Sequence, residues 1–255
     1  MSLIKSRLLD ITDLQNLANE FRVMNKLSYS EPIRLKSILL KNNILTVFLP
    51  LKGGFSGMSM LLKENNETKR FILVNSEHSR GKQHFTVCHE LYHLYFQDDF
   101  SYSKNNVGLF DKKNPEEYNA DMFASFLLIP ESGLQEMIPR EERDKNKITL
   151  KTILGIEQYY ACSRTALLYR LLNSKKIDKE FFTTYSTRAR HSAIQFGYDT
   201  SLYIKGNEGV VIGDYGIKAR ELFDNGSISE SSYFGLLEDM GVDLAKLESN
   251  GEESE

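Results

Sequence analysis

The chain has 255 residues, 41% of them hydrophobic and 26% charged, with a net charge of −3 and a pI near 6.0. That length and apolar content suffice for a buried core, and no run approaches the roughly eighteen uninterrupted apolar residues of a membrane-spanning helix. The start carries no apolar segment followed by a small-residue cleavage site, and two cysteines make no disulfide framework, so a cytoplasmic protein is expected.

In chain order, the pattern predicts a helix over 11–26, a second opened by Ser30-Glu31-Pro32, and strands at 44–48, 57–62 and 70–74. Phe85, Cys88, Leu91, Tyr92 and Tyr95 then place apolar side chains on every side of a helix over 80–97, which reads as largely buried. Cys88 is expected to be a packed thiol, since adjacent helical residues diverge by about 100° and it cannot share a ligand position with His89. A polar loop over 101–114 leads to a helix started by Asn114-Pro115 and stopped by Pro130.

Within the buried helix stands His89-Glu90-Leu91-Tyr92-His93. Residues four apart lie above one another on a helix, so the two imidazoles can reach one point, while Glu90 is turned towards whatever water that point would hold. This is the HExxH spacing of zinc peptidases. Two buried histidines without partners would be costly, whereas a metal takes both neutral rings as ligands. On the next helix Glu117, Ala120, Asp121, Ala124 and Leu128 share a face. The alanines permit close approach to the histidine helix, so Glu117 can complete a His, His, Glu set that leaves a fourth position open to water. Asp121, one turn on, can accept a hydrogen bond from the far nitrogen of a ligand imidazole and fix its tautomer. The alternative reading makes Glu117 a capping partner of Asn114 and Asp121 an ordinary surface carboxylate.

HELYH, followed 24 residues after His93 by EYNADMFASFLLIP, resembles the ImmA/IrrE family of bacterial and phage zinc metallopeptidases, and the likeness extends over roughly residues 10–130. Gly54-Phe55-Ser56-Gly57, the strand at 70–75 and Gln83-His84-Phe85-Thr86 are similar to family segments. Asp121 departs from the family's usual Asn and is similar to the ExxxD variant of other gluzincins. The resemblance implies a gluzincin-like α+β core holding one Zn(2+) on His89, His93 and Glu117, with Glu90 catalytic. It also implies an anti-repressor role, cleavage of a helix-turn-helix transcriptional repressor. His84, Tyr92 and Tyr118 are candidate donors to the oxyanion, and the sequence does not choose among them. The strand at 70–74 is a candidate edge for pairing with an extended peptide.

Charge divides the chain into three sections: net 0 over 1–139, +6 over 140–190 and −9 over 191–255. The first is expected to be the peptidase core. The second reads as two short helices about the turn Ala161-Cys162-Ser163, a helix-turn-helix spacing that would expose Arg164, Thr165, Tyr169 and Arg170. It is a structural or substrate-docking module on one reading and a DNA reader over 147–177 on the other, the overall pI weighing against the second. The third reads as a small α+β section: a hairpin of 201–205 with 209–213, a helix over 227–240 capped by Ser227 and stopped by Gly241, and an acidic tail. A non-catalytic zinc-containing regulator is the other alternative, and the presence of Glu90 argues against it.

Overall fold

A computed structural model describes residues 7–64, 67–98, 100–105 and 107–240; Gly241 and the acidic tail lie outside them. Two helices, α1 (Ile11–Met24) and α2 (Leu35–Lys41), precede strands β1 (Ile44–Leu49), β2 (Gly57–Glu64) and β3 (Glu67–Asn75). The histidine helix α3 (Arg80–Phe96) follows, then β4 (Tyr102–Asn105) and the carboxylate helix α4 (Pro115–Leu128). Helices α5 (Glu131–Met137), α6 (Leu150–Tyr160), α7 (Arg164–Asn173), α8 (Lys179–Tyr185) and α9 (Ala189–Gln195) come next. Strand β5 (Val211–Ile212) and helices α10 (Tyr215–Asp224) and α11 (Glu230–Asp239) complete the described chain.

The sheet runs β4-β2-β3-β1-β5, with β1 and β3 parallel and the other pairs antiparallel. Side chains alternate across it, so Ile44, Phe48, Ile72 and Val74 share the buried face. In register with Ile72 and Val74, β2 carries only Ser59 and Gly57. These two small residues let α3 come against the sheet. A Cβ on Gly57 would stand 2.6 Å from Thr86 Cγ2 and 2.8 Å from the Leu73 carbonyl oxygen, closer than packed atoms allow. The sheet order also corrects one expectation. β3 is paired on both sides, so it offers no free edge; β4 and β5 are the outer strands.

β4 lies in the stretch expected to be loop, and the hairpin expected over 201–213 does not form. Residues 201–203 make a single 3-10 turn, while Val211 and Ile212 pair with Val47 and Thr46. The open flank of β1 supplies the better partner: Phe48 N donates to Val210 O and Gly209 N to Phe48 O. The last helix starts later than expected, because Ser227 N donates to Leu222 O and so closes α10, and Ser229 becomes the cap by accepting from Ser232 N.

The hydrophobic core does not stop at residue 139. Ile153, Leu167, Leu168 and Leu171 are fully buried in the same cluster as Leu91, Phe123 and Leu127. The turn before α7 lies against the start of α3, where a Cβ on Gly81 would come within 2.8 Å of Ser163 N. Two helices do flank the turn at 161–163, but the exposed face expected on α7 is absent. Arg164 is buried in an ion pair with Glu157, and its guanidinium also donates to Tyr185 O and Ser192 Oγ. Arg170 is buried too, donating to Ile129 O and to Glu131. Of the four residues expected on that face only Thr165 is exposed, and Tyr169 stacks on Phe110 at 4.6 Å. The buried Arg22 does on the other side of α4 what Arg170 does here, donating to Leu127 O at 2.7 Å. Two arginines thereby satisfy carbonyls that the end of α4 leaves without helical partners.

Candidate metal centre

α3 and α4 pack against each other through Ala120 and Ala124, both without exposed surface. That approach brings three donor side chains to one point. His89 Nε2 lies 3.1 Å from Glu117 Oε2 and 3.1 Å from His93 Nε2, and His93 Nε2 lies 3.6 Å from Glu117 Oε1. Donors held about 2.0–2.1 Å from a tetrahedral ion stand about 3.3 Å from one another, so these separations fit a single small cation. His89, His93 and Glu117 are the group of His, Cys, Asp and Glu side chains among the described residues able to hold a metal in this way. The capping alternative for Glu117 finds no support, as Asn114 makes no side-chain cap bond.

The far nitrogens of both imidazoles are engaged. His89 Nδ1 donates to Asp121 Oδ1 at 2.8 Å, and His93 Nδ1 donates to Gln97 Oε1. Both rings are thus turned with Nε2 towards the common point. Asp121 is itself buried and clamped by a loop, with Gly108 N donating to Oδ1 and Phe110 N to Oδ2, each at 2.8 Å. Gly108 has φ +85°, a conformation that favours glycine and lets the two amides converge on one carboxylate.

The electrostatics call for one positive charge. Burial alone would lower His89, but its hydrogen bonds to Asp121 and Glu117 prevail and push its pKa up to about 10. Burial and the neighbouring His89 push His93 down to about 4. The pair thus favours one positive charge, on the His89 imidazole, beside Asp121 and Glu117. His89, Glu90 and His93 are buried, whereas Glu117 keeps 17% of its side chain exposed, so the centre opens to solvent on the Glu117 side.

Glu90 lies against the sheet beside the centre, where Ser59 Oγ of β2 donates to its Oε2 at 2.6 Å. Neither Ser59 nor Gln97 was anticipated from sequence. The first comes from a distant strand; the second, four residues after His93, is a position that helix spacing alone could have suggested. The three candidate oxyanion donors each have other partners. His84 Nδ1 donates to Ala161 O at 2.7 Å. Tyr92 packs in the core against Phe96 and Phe123, its hydroxyl 3.4 Å from Glu116 Oε2, and Tyr118 lies beneath the Lys112 ammonium. Cys88 is buried, and burial raises its thiol to about 12, as expected of a packing residue.

Residues 41–172, half of the chain, match the family model Peptidase_M78, described as the IrrE N-terminal-like domain. The chain belongs to this metallopeptidase family. No curated protein matches it. The M78 match spans β1 to α7 and so includes both motif helices and the α6-α7 pair. Among the described residues of this M78 protein, no helix is long and apolar enough to cross a membrane.

Because Asp121 joins the loop to His89, Asp121→Ala is expected to weaken metal binding about ten- to a hundredfold without abolishing it. Competition with a chromophoric chelator measures this; unchanged affinity would show that the carboxylate does not serve the ion.

Proposed function

We propose that this protein is a zinc-dependent endopeptidase, with the ion on His89, His93 and Glu117 and with a helix-turn-helix transcriptional repressor as substrate. The observation that carries the reading is the convergence of the three donors at tetrahedral separations, with each imidazole oriented from behind. A set of three nitrogen and carboxylate donors leaves a fourth position to water and suits zinc in a catalytic rather than a purely structural site. When bound, the ion would lower the pKa of a water to about 7 and polarise the scissile carbonyl.

The chain's own residues supply the rest. Glu90 takes a proton from the attacking water and later delivers it to the leaving amine. Ser59 holds that carboxylate in one orientation, and the buried surroundings strengthen each of these interactions. Asp121 and Gln97 hold the Nδ1 atoms of the imidazoles, in the tautomer that would leave Nε2 free for the ion. Substrate enters from the Glu117 side.

A repressor as substrate rests on the resemblance to the ImmA/IrrE family. Selectivity is assigned to the charged sections after residue 139, whose fields of opposite sign, +6 and −9, steer a complementary partner and reject others. A free protease of broad specificity would be harmful in a cytoplasmic setting, so general small peptides are poor substrates. The test is elemental analysis of the purified protein. About one zinc per chain is expected, lost in His89→Ala and in His93→Ala, because two remaining ligands hold a tetrahedral ion weakly. Retention of the full metal content in both variants overturns the assignment. Incubation with a purified helix-turn-helix repressor, followed by mass spectrometry of the fragments, tests the substrate.

A further inference from the structure

Positive charge gathers in a cavity of about 570 Å³ lined by the starts of α3 and α7 and by α9. Arg188, Arg190 and His191 line it together with Ser79, Ser163 and Thr165, and no carboxylate is among its lining residues. Arg188 and Arg190 are exposed, and neither guanidinium forms an ion pair among the described residues. Arg164, also in the wall, is different. Its charge is matched by Glu157, and its bonds to Tyr185 O and Ser192 Oγ fix the start of α7 against the chain that carries Arg188 and Arg190. The cationic side chains are thus presented on a braced wall.

Two further properties select the ligand. Ser79 and Ser163, the N-caps of helices of 17 and 10 residues, both line the cavity, so the positive ends of two helix dipoles lie at it. The volume lies within the usual range for small-molecule sites, roughly 300–1,000 Å³, and exceeds what an isolated inorganic anion needs. Ser79, Ser163 and Thr165 also line an adjoining cavity bounded by Phe85, Gly108 and Phe110, which places an occupant one wall away from the loop that clamps Asp121.

We propose that this cavity binds a small phosphate-bearing molecule, with Arg188 and Arg190 on the phosphate oxygens and the starts of α3 and α7 beneath them. Planar guanidinium groups match phosphate bidentately, and the positive ends of two helix dipoles favour the same negative charge. A nucleic-acid duplex fits less well, since the site is concave and α7 keeps both of its arginines buried.

Calorimetry on the full-length protein at physiological salt, with inorganic pyrophosphate and with ATP as probes, tests this without reference to peptidase activity. Saturable binding of at least one probe is expected, weakened about tenfold or more in the Arg188→Ala/Arg190→Ala double variant. It should be unchanged in Lys151→Ala/Lys179→Ala, which removes the same charge from exposed positions outside the cavity. Tighter binding of ATP makes the nucleoside part of the ligand, and equal binding assigns the site to the phosphate alone. Absence of heat with either probe, or equal weakening in the lysine control, overturns the proposal. Binding of a duplex oligonucleotide that pyrophosphate and ATP cannot displace overturns it as well.

Discussion

Glu90→Gln is expected to leave the ion in place and to slow repressor cleavage by about 10²–10⁴-fold, the usual contribution of a general base. The amide retains an oxygen for the Ser59 hydroxyl, so the side chain can stay where it is. What it loses is the capacity to accept a proton. Glu90 is not in the group of side chains able to hold a metal, so metal content should match the unmodified protein. Elemental analysis beside a cleavage time course separates the two effects. Cleavage at an undiminished rate, or loss of metal together with activity, would sink the assignment of Glu90 as base.

A fragment ending at residue 139 is expected not to fold. It would lose Ile153, Leu167, Leu168 and Leu171, four fully buried side chains packed in the cluster with Leu91, Phe123 and Leu127. Burying such a side chain contributes about 1.5–3 kcal/mol, so these four supply roughly 6–12 kcal/mol, comparable with the whole stability of an ordinary domain. Arg170 would also leave Ile129 O without its guanidinium donor. Thermal melting followed by circular dichroism checks this. A cooperative transition in the fragment, at a temperature near that of the full chain, would contradict it.

The motif helices were legible because several signals agreed. Pro115 and Pro130 bracket α4, the apolar positions around α3 mark it as buried, and histidines four apart on a buried helix have few uses besides a metal. The outer strand β4 was not legible, since a polar stretch of four residues carries no alternating apolar signal. Charge misled at α7. Arg164 and Arg170 look like surface residues in one dimension, yet a guanidinium can be buried when it meets a carboxylate and backbone carbonyls, as both do here. Ser59 escaped because its partner lies 31 residues away, and sheet register, not local pattern, sets it beside Glu90. The sections of unequal charge are visible in composition, but charge sits on surfaces and says little about where a core ends.

The clamp on Asp121 has a cooperative consequence. One carboxylate receives the amides of Gly108 and Phe110 and the imidazole of His89 together. Fraying of the loop would strip two donors from a buried anion, and turning of the ring would strip the third, so each event raises the cost of leaving the others in place. Loop and imidazole are therefore expected to open as one unit, and the amides of Gly108 and Phe110 to draw protection against hydrogen exchange from the metal centre.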